Sequence, residues 1–381
     1  MRIFLALLIG TLFSVRTIHA EESELNIETP SAILMEASTG KVIYEKNADD
    51  IRPPASVTKI MTMLLVLDEV EKGTISLEDE VVTSEYAASM GGSQVFLEPG
   101  EIQTVETLLK CIAVASGNDA CVCMAEYIGG TEEEFVNRMN KRAKDLGMKN
   151  TNFVNCNGLD TEGHVTTARD IALMSKELIT KHPEIEEYVT IWMENITHTT
   201  NKGSSEFGLS NTNKLIRHYE YATGLKTGST SDAMFCVSAT ARKNQMDMIA
   251  VIMGAPDSKT RFRDATTLLN YGFAKCMKYI DDGLENLEPI EIKNGTEKTI
   301  KIKQEPFEYI DIEGHDLLKI EKKIKINKKL TAPIKTGEQV GEMEYYIGEE
   351  KLGSTPIIAT QTIEKMNYKT ALGNSLERLF L

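Results

Sequence analysis

The chain has 381 residues, a net charge of −15, 41% hydrophobic residues and 26% charged ones. This is the composition of an ordinary globular protein, long enough for two or three domains. The acidic balance argues against a general nucleic-acid binder and against a polybasic membrane patch.

Residues 1–20 stand apart. Arg2 leads into an apolar run over residues 3–13, and Ala20 stands just before Glu21 and Glu22. A positive start, an apolar core and a small residue at the exit read as a secretory signal peptide, too short for a comfortable membrane span. An uncleaved N-terminal anchor is the alternative. The mature protein is expected to be exported, soluble or peripheral. Six cysteines follow: Cys111, Cys121, Cys123, Cys156, Cys236 and Cys276. Most sit inside apolar runs, and a domain of this size needs no staples, so they are expected as buried small hydrophobes rather than disulfides.

Residues 31–37 and 41–46 are β-like runs joined by Ser38-Thr39-Gly40, the pattern of a hairpin. Pro53-Pro54-Ala55-Ser56-Val57-Thr58-Lys59 comes next, with an apolar run over residues 60–67 behind it. Prolines suit the first turn of a helix, where no intrahelical hydrogen bond is lost. Ser56 and Lys59, three positions apart, then share one helix face. Serine is a weak nucleophile until a base takes its proton, and lysine serves as that base when burial or neighbouring cations lower its pKa. Taken alone, the pair also fits a capping serine beside a surface lysine.

Residues 78–104 read as loop-rich. Helical periodicity covers residues 105–115 and runs into Ser116-Gly117-Asn118-Asp119. Further helices are predicted over residues 120–128, 132–146 and 167–179. Lys226-Thr227-Gly228-Ser229-Thr230 stands just before residues 233–240 and 246–253, which read as neighbouring strands, and residues 261–276 read as helical. Separately, Ser116 and Asn118 fit a helix cap, and the lysine–threonine–glycine run fits a turn. From about residue 285 helical signal fades. Short β-like runs at 289–292, 299–302, 320–326 and 339–347 predict a small β-sandwich or barrel. Residues 361–381 turn helical again. Met366, Leu372, Leu376, Leu379 and Phe380 gather on one face, for docking on the protein itself or for lying on a membrane surface.

Three motifs, Ser56-Val57-Thr58-Lys59, Ser116-Gly117-Asn118 and Lys226-Thr227-Gly228-Ser229-Thr230, stand in the order found in penicillin-binding proteins and class A β-lactamases. The chain resembles the low-molecular-weight penicillin-binding proteins, the serine-type D-alanyl-D-alanine carboxypeptidases of the peptidase S11 family. Leu34-Met35-Glu36-Ala37, Asn157-Gly158-Leu159-Asp160, His164, Thr167-Ala168-Arg169-Asp170, Asn211-Thr212-Asn213-Lys214-Leu215 and Leu268-Leu269-Asn270-Tyr271-Gly272-Phe273 carry the resemblance across nearly the whole mature chain. It implies an α/β (α+β) penicillin-binding/β-lactamase-like transpeptidase fold, with an antiparallel sheet flanked by helices. It also implies a catalytic domain over residues 24–280, an all-β domain over 286–360 and an amphipathic terminal helix over 361–381.

The resemblance further implies the chemistry. Ser56 attacks the carbonyl between the last two D-alanines of a peptidoglycan stem peptide, Lys59 accepts its proton, and Ser116 relays a proton to the leaving amine. Asn118 holds the substrate's backbone amide. Lys226 adds positive charge that favours neutral Lys59 and attracts the terminal carboxylate. Thr227, Ser229 and Thr230 line the strand on which the substrate lies, and Gly228 lets the substrate approach closely. The N–H groups of Ser56 and Ser229 form the oxyanion hole. Arg261 reads the carboxylate or makes a structural ion pair. His164 and His218 are not expected to act as a catalytic base. No metal or cofactor is expected. The partners implied are stem peptides and β-lactams, with peripheral membrane contact through the last helix, on the outer face of the cytoplasmic membrane or in the cell wall. A DD-endopeptidase, a β-lactamase and an idle wall-binding protein are the alternatives. Against the β-lactamase, the stretch between the second and third motifs lacks a clear Glu-x-x-Leu-Asn for deacylation.

Overall fold

A computed structural model describes residues 25–327 and 330–367. The predicted signal peptide lies outside the described residues. The predicted hairpin forms as strands β1 (Ser31–Glu36) and β2 (Val42–Lys46). A single 3-10 turn, Ala55–Thr58, runs directly into helix α1 (Lys59–Glu71). The stretch read as loop-rich contains two three-residue strands, β3 (Glu80–Val82) and β4 (Ile102–Thr104), which pair with each other, and a short helix α2 (Glu85–Ala88). Strands this short leave no readable alternation.

The helical layer continues with α3 (Val105–Lys110), a π-turn over Cys111–Ala115, α4 (Asn118–Gly129), α5 (Glu132–Asp145), α6 (Ala168–Lys181) and α7 (Ile185–Val189). A hairpin absent from the sequence reading follows, β5 (Met193–Thr200) with β6 (Gly203–Ser210). Then come a short helix α8 (Leu215–His218), strands β7 (Ala222–Thr230), β8 (Met234–Lys243) and β9 (Met246–Ala255), and helix α9 (Ser258–Lys275).

The main sheet is antiparallel, in the order β2-β1-β9-β8-β7. Side chains alternate across a strand, and here both faces are covered. Ile33, Met35, Ile249, Val251 and Met253 enter the core shared with α1, α4 and α6. Their neighbours Ala32, Leu34, Met248, Ala250 and Ile252 enter a second core under α9. This explains why β1 and β9 read as nearly unbroken apolar runs. Strand β7 is left at the sheet edge, with its sequence motif beside the helical layer.

Beyond α9, β10 (Met277–Asp281) pairs with β14 (Phe307–Asp311), and β11 (Ile290–Glu291) with β12 (Thr299–Ile300). A four-stranded sheet holds β13 (Ile302–Gln304), β17 (Glu350–Ala359), β16 (Gln339–Ile347) and β15 (Glu321–Ile326), in that order. Its core centres on Tyr345, whose ring stacks on Phe307 at 3.8 Å between centroids. The outermost strand, β15, carries Lys322, Lys323 and Lys325, a composition that discourages pairing with another chain.

The terminal helix expected from residue 361 does not begin there. Ile363 exchanges backbone hydrogen bonds with Ile334 and is buried in the β core, and Lys365 bridges to Gly295. Backbone groups held in β bridges are not available to a helix. Residues 368–381 lie outside the described residues. No helix among the described residues is long and apolar enough to cross a membrane. All six cysteines are buried and unpaired, as expected.

Candidate active site

The site begins with a strained residue. Ala55 has φ +49, a region that disfavours any residue bearing a Cβ. Its carbonyl is held from two sides. Thr58 Oγ1 donates to Ala55 O at 2.8 Å, and His164 Nε2 lies 2.8 Å from Thr58 Oγ1. The other ring nitrogen, Nδ1, accepts from Val154 N at 2.9 Å, so Nε2 carries the hydrogen and donates to Thr58. Gly158, at φ +90, lies so close that a Cβ built on it would sit 1.9 Å from Ala55 O. The turn is thereby fixed with Ser56 half-buried at its crest.

His164 is thus a buried brace between Val154 N and the Thr58 hydroxyl. Burial pushes its pKa down from 6.5 to about 4. Between those values the unfolded chain binds a proton that the folded protein refuses. Stability from this residue is complete above about 6.5 and is lost as pH falls toward 4. The wild type should lose ~3 kcal/mol more than His164→Gln over that interval, from a shift of this size. Urea unfolding of both proteins at pH 7 and pH 4.5 measures the difference; parallel losses would refute the assignment.

Lys59, fully buried at the start of α1, points at Ser56. Its Nζ lies 3.0 Å from Ser56 Oγ, 2.7 Å from Asn118 Oδ1 and 2.6 Å from Asn157 O. Two of these neighbours are amide oxygens, which only accept. A neutral amine has two hydrogens and one lone pair, so it satisfies both and keeps its lone pair for the Ser56 hydroxyl. Burial pushes the Lys59 pKa down. Lys226, also fully buried, is pushed well down by burial and then by the charge of Lys59. The leading cause at Lys59 is burial, not the Lys226 charge that the sequence reading invoked.

Ser116 ends the π-turn in the left-handed region, φ 62 and ψ 33. Its Oγ accepts from Lys226 Nζ at 3.0 Å. Asn118 donates through Nδ2 to Gly91 O at 2.7 Å, leaving one N–H of its amide unused. Asp119 binds the N–H groups of Val95 and Leu97, which fastens the loop over residues 91–97 against the second motif.

Alternation along β7 turns Lys226, Gly228 and Thr230 toward these loops. Lys226 meets Ser116, and Thr230 Oγ1 donates to Asp160 at 2.6 Å. A Cβ on Gly228 would lie 2.8 Å from Ser56 N. The close approach that Gly228 permits is therefore to the serine turn itself, where the sequence reading had assigned it to substrate. Thr227 donates to Thr212 Oγ1 at 2.7 Å, and Ser229 is exposed at the sheet edge. Arg261 donates through Nη1 to Gly228 O at 3.1 Å and to Cys236 O at 3.2 Å, and through Nη2 to Ser258. It pairs with no carboxylate among the described residues, so the structural ion pair is set aside; its guanidinium braces the back of β7. Its Nε is buried without a hydrogen-bond partner among the described residues.

Residues 17–257 match the D-alanyl-D-alanine carboxypeptidase family, Peptidase S11. The chain belongs to that family. Residues 281–365 match the C-terminal domain of penicillin-binding protein 5. The chain is 42% identical to D-alanyl-D-alanine carboxypeptidase DacF of Bacillus subtilis, over 93% of this chain and 90% of that one. It is 32% identical to DacC of Escherichia coli, over 90% and 87%. The fold is similar to penicillin-binding protein 5 from Haemophilus influenzae, with a TM-score of 0.77, 28% identity, and coverage of 89% of this chain and 98% of that one. The penicillin-binding-protein fold expected from the motifs is the fold found, and the endopeptidase and β-lactamase alternatives are not favoured.

In this carboxypeptidase-family chain the three motifs converge on one cleft, joined by residues to which the sequence reading gave no role. Asn157 contributes a carbonyl, which every residue has, so no side-chain signal marked it. Gly158, Thr58, Thr212 and Asp119 act on neighbours distant in sequence. Asn157-Gly158 carried a hint, since such a pair marks a tight turn.

Proposed function

We propose that the protein is a penicillin-sensitive serine DD-carboxypeptidase that removes the terminal D-alanine from peptidoglycan pentapeptide stems through an acyl-enzyme on Ser56. The observation that carries this reading is the fully buried Lys59 Nζ placed 3.0 Å from Ser56 Oγ, with Ser116 and Lys226 joined beside it. Ser56 Oγ attacks the carbonyl carbon between the two D-alanines and passes its proton to Lys59. The N–H groups of Ser56 and Ser229 receive the developing oxyanion, worth about 3 kcal/mol per donor. The C–N bond then breaks, and the leaving amine takes a proton relayed from Lys59 through Ser116, with Lys226 holding that hydroxyl. Water attacks the acyl-enzyme, gives its proton to Lys59, and Ser56 is restored.

The stem lies antiparallel along the free edge of β7, where main-chain groups pair and Thr227, Ser229 and Thr230 flank it. The remaining N–H of Asn118 holds its backbone amide. Lys226 and Arg261 draw its terminal carboxylate toward the strand. The protein is exported by residues 1–20 and acts outside the cytoplasm, with residues 368–381 as a peripheral membrane contact.

The test pairs two measurements on the wild type: D-alanine released from a pentapeptide, and mass spectrometry of the adduct left by a β-lactam. We expect release of one D-alanine per stem and a long-lived adduct on the peptide bearing Ser56. An adduct elsewhere, rapid turnover of the β-lactam, or preferred cutting of cross-linked dimers would overturn it.

A further inference from the structure

Beside the cleft lies a second recess, a cavity of about 390 Å³ between the loop at Phe96 and the β5–β6 hairpin. The hairpin has two unlike faces. Register pairs His198 with Ser205 and Thr200 with Gly203, and alternation puts Ile196, His198 and Thr200 on one side with Ser205, Phe207 and Leu209. That inner face grades from buried Ile196 and Leu209 to the polar His198, Thr200 and Ser205 at the recess.

Two features there stand out. His198 is buried. Its Nδ1 is 2.7 Å from the buried carboxylate of Glu101, which fixes the ring, and its Nε2, sealed from solvent, has no hydrogen-bond partner among the described residues. An unpartnered buried polar atom costs stability and calls for a reason. Phe96 is the second feature. It is 65% exposed and held at φ 61, an outlier for a bulky residue. The flanking N–H groups of Val95 and Leu97 are clamped by Asp119, so its backbone is held in that conformation. Its ring meets Phe207 edge-on at 5.8 Å, leaving a face free.

The segments that line the recess also reach the catalytic motifs. Loop 91–97 is tied to Asn118 through Gly91 and Ser93, and β6 leads into Thr212, the partner of Thr227.

We propose that the recess is a saccharide subsite that takes an N-acetylated amino sugar of the glycan strand to which the stem peptide is attached. This rests on the carboxypeptidase reading and names a further part of its substrate. The apolar C–H face of a pyranose ring packs on the open face of Phe96. Its rim of hydroxyls matches Thr200 and Ser205, whose own hydroxyls donate or accept as the ligand requires. Charge disfavours an anionic stem peptide here. Glu98 and Glu206 border the recess, and the lysine beside them, Lys202, is already bound to both oxygens of Glu98 at 2.9 and 3.0 Å.

The experiment compares the full protein and Phe96→Ala on two substrates that differ only in the sugar: a free pentapeptide and the same pentapeptide on a disaccharide. We expect KM for the glycan-linked substrate to rise roughly tenfold in Phe96→Ala, the loss of one aromatic contact, with kcat unchanged and the free peptide unaffected. Phe96→Trp should restore it. In parallel, NMR titration with a peptide-free N-acetylglucosamine–N-acetylmuramic acid tetrasaccharide should saturate in the wild type and weaken in Phe96→Ala. Equal effects on both substrates would assign the recess to peptide and overturn the proposal, as would a tetrasaccharide that never saturates. If neither substrate yields D-alanine, the carboxypeptidase reading fails, and the titration still decides whether the recess binds sugar.

Discussion

Lys59→Met and Lys59→Arg are expected to lose acylation by a β-lactam to the same extent, about 10³-fold, the usual worth of a positioned general base. The two substitutions separate two roles. Methionine removes both base and charge, whereas arginine keeps the charge but gives up no proton at any working pH. Equal losses identify the lone pair as what matters; an arginine variant keeping a tenth of the wild-type rate would identify the charge and sink the base assignment. The wild-type pH profile supplies an independent check. Burial pushes the Lys59 pKa down, so the neutral amine is populated at lower pH than for an ordinary lysine. Acylation should fall tenfold per unit once pH drops below that depressed value, and the residual rate of Lys59→Met should lack this limb. Quenched-flow mass spectrometry of the adduct reads both.

Gly158→Ala is expected to be the most damaging single methyl group in the catalytic half of the molecule. Its Cβ would lie 1.9 Å from Ala55 O and 2.3 Å from Ala55 C, both backbone atoms that cannot swing aside. The left-handed φ adds about 1–2 kcal/mol of its own. Together with the overpacking, the loss should be about 3 kcal/mol or more. Any relief must push back the turn that carries Ser56, and a 1 Å misplacement costs about 10²-fold in rate. Gly163→Ala is the control. It lies on the same loop at φ +80, yet a Cβ there meets nothing nearer than 3.9 Å. It should show the conformational cost alone and keep near-normal D-alanine release. Thermal unfolding and release assays on the pair test this; equal behaviour would mean that close approach to Ala55 does not matter.

Both predictions concern contacts of differing legibility. The helical spacing of Ser56 and Lys59 was readable, because i and i+3 share a face whatever the rest of the chain does. That Lys59 would be fully buried between two amide oxygens was not, since one comes from α4 and the other from a loop 98 positions away. The β5–β6 hairpin escaped notice for a related reason. Its strands are mostly threonine, serine, asparagine and glutamate, and only Ile196, Phe207 and Leu209 report a buried face. Arg261 was singled out as a candidate, but two of its acceptors are the backbone carbonyls of Gly228 and Cys236, and these have no signature in sequence. Residues 361–367 read as helical because Ile363 precedes the apolar face that starts at Met366, while its bridge partner Ile334 lies on a remote segment.

By itself, the order of residues determined what repeats locally: the two-sided strands β1 and β9, the helix behind Ser56, the short-stranded C-terminal texture, and three motifs whose joint presence named a chemistry. Only the folded chain decided the rest. It brought Lys226 to Ser116, set Gly158 against the carbonyl before the nucleophile, turned Gly228 toward the serine turn, and left His198 with an idle nitrogen beside an exposed ring. Periodicity is a property of neighbours along the chain. Desolvation, close approach and hydrogen-bond completion are properties of neighbours in space, and for those the closure of α4, the 157–164 loop and β7 around one buried amine is the deciding event.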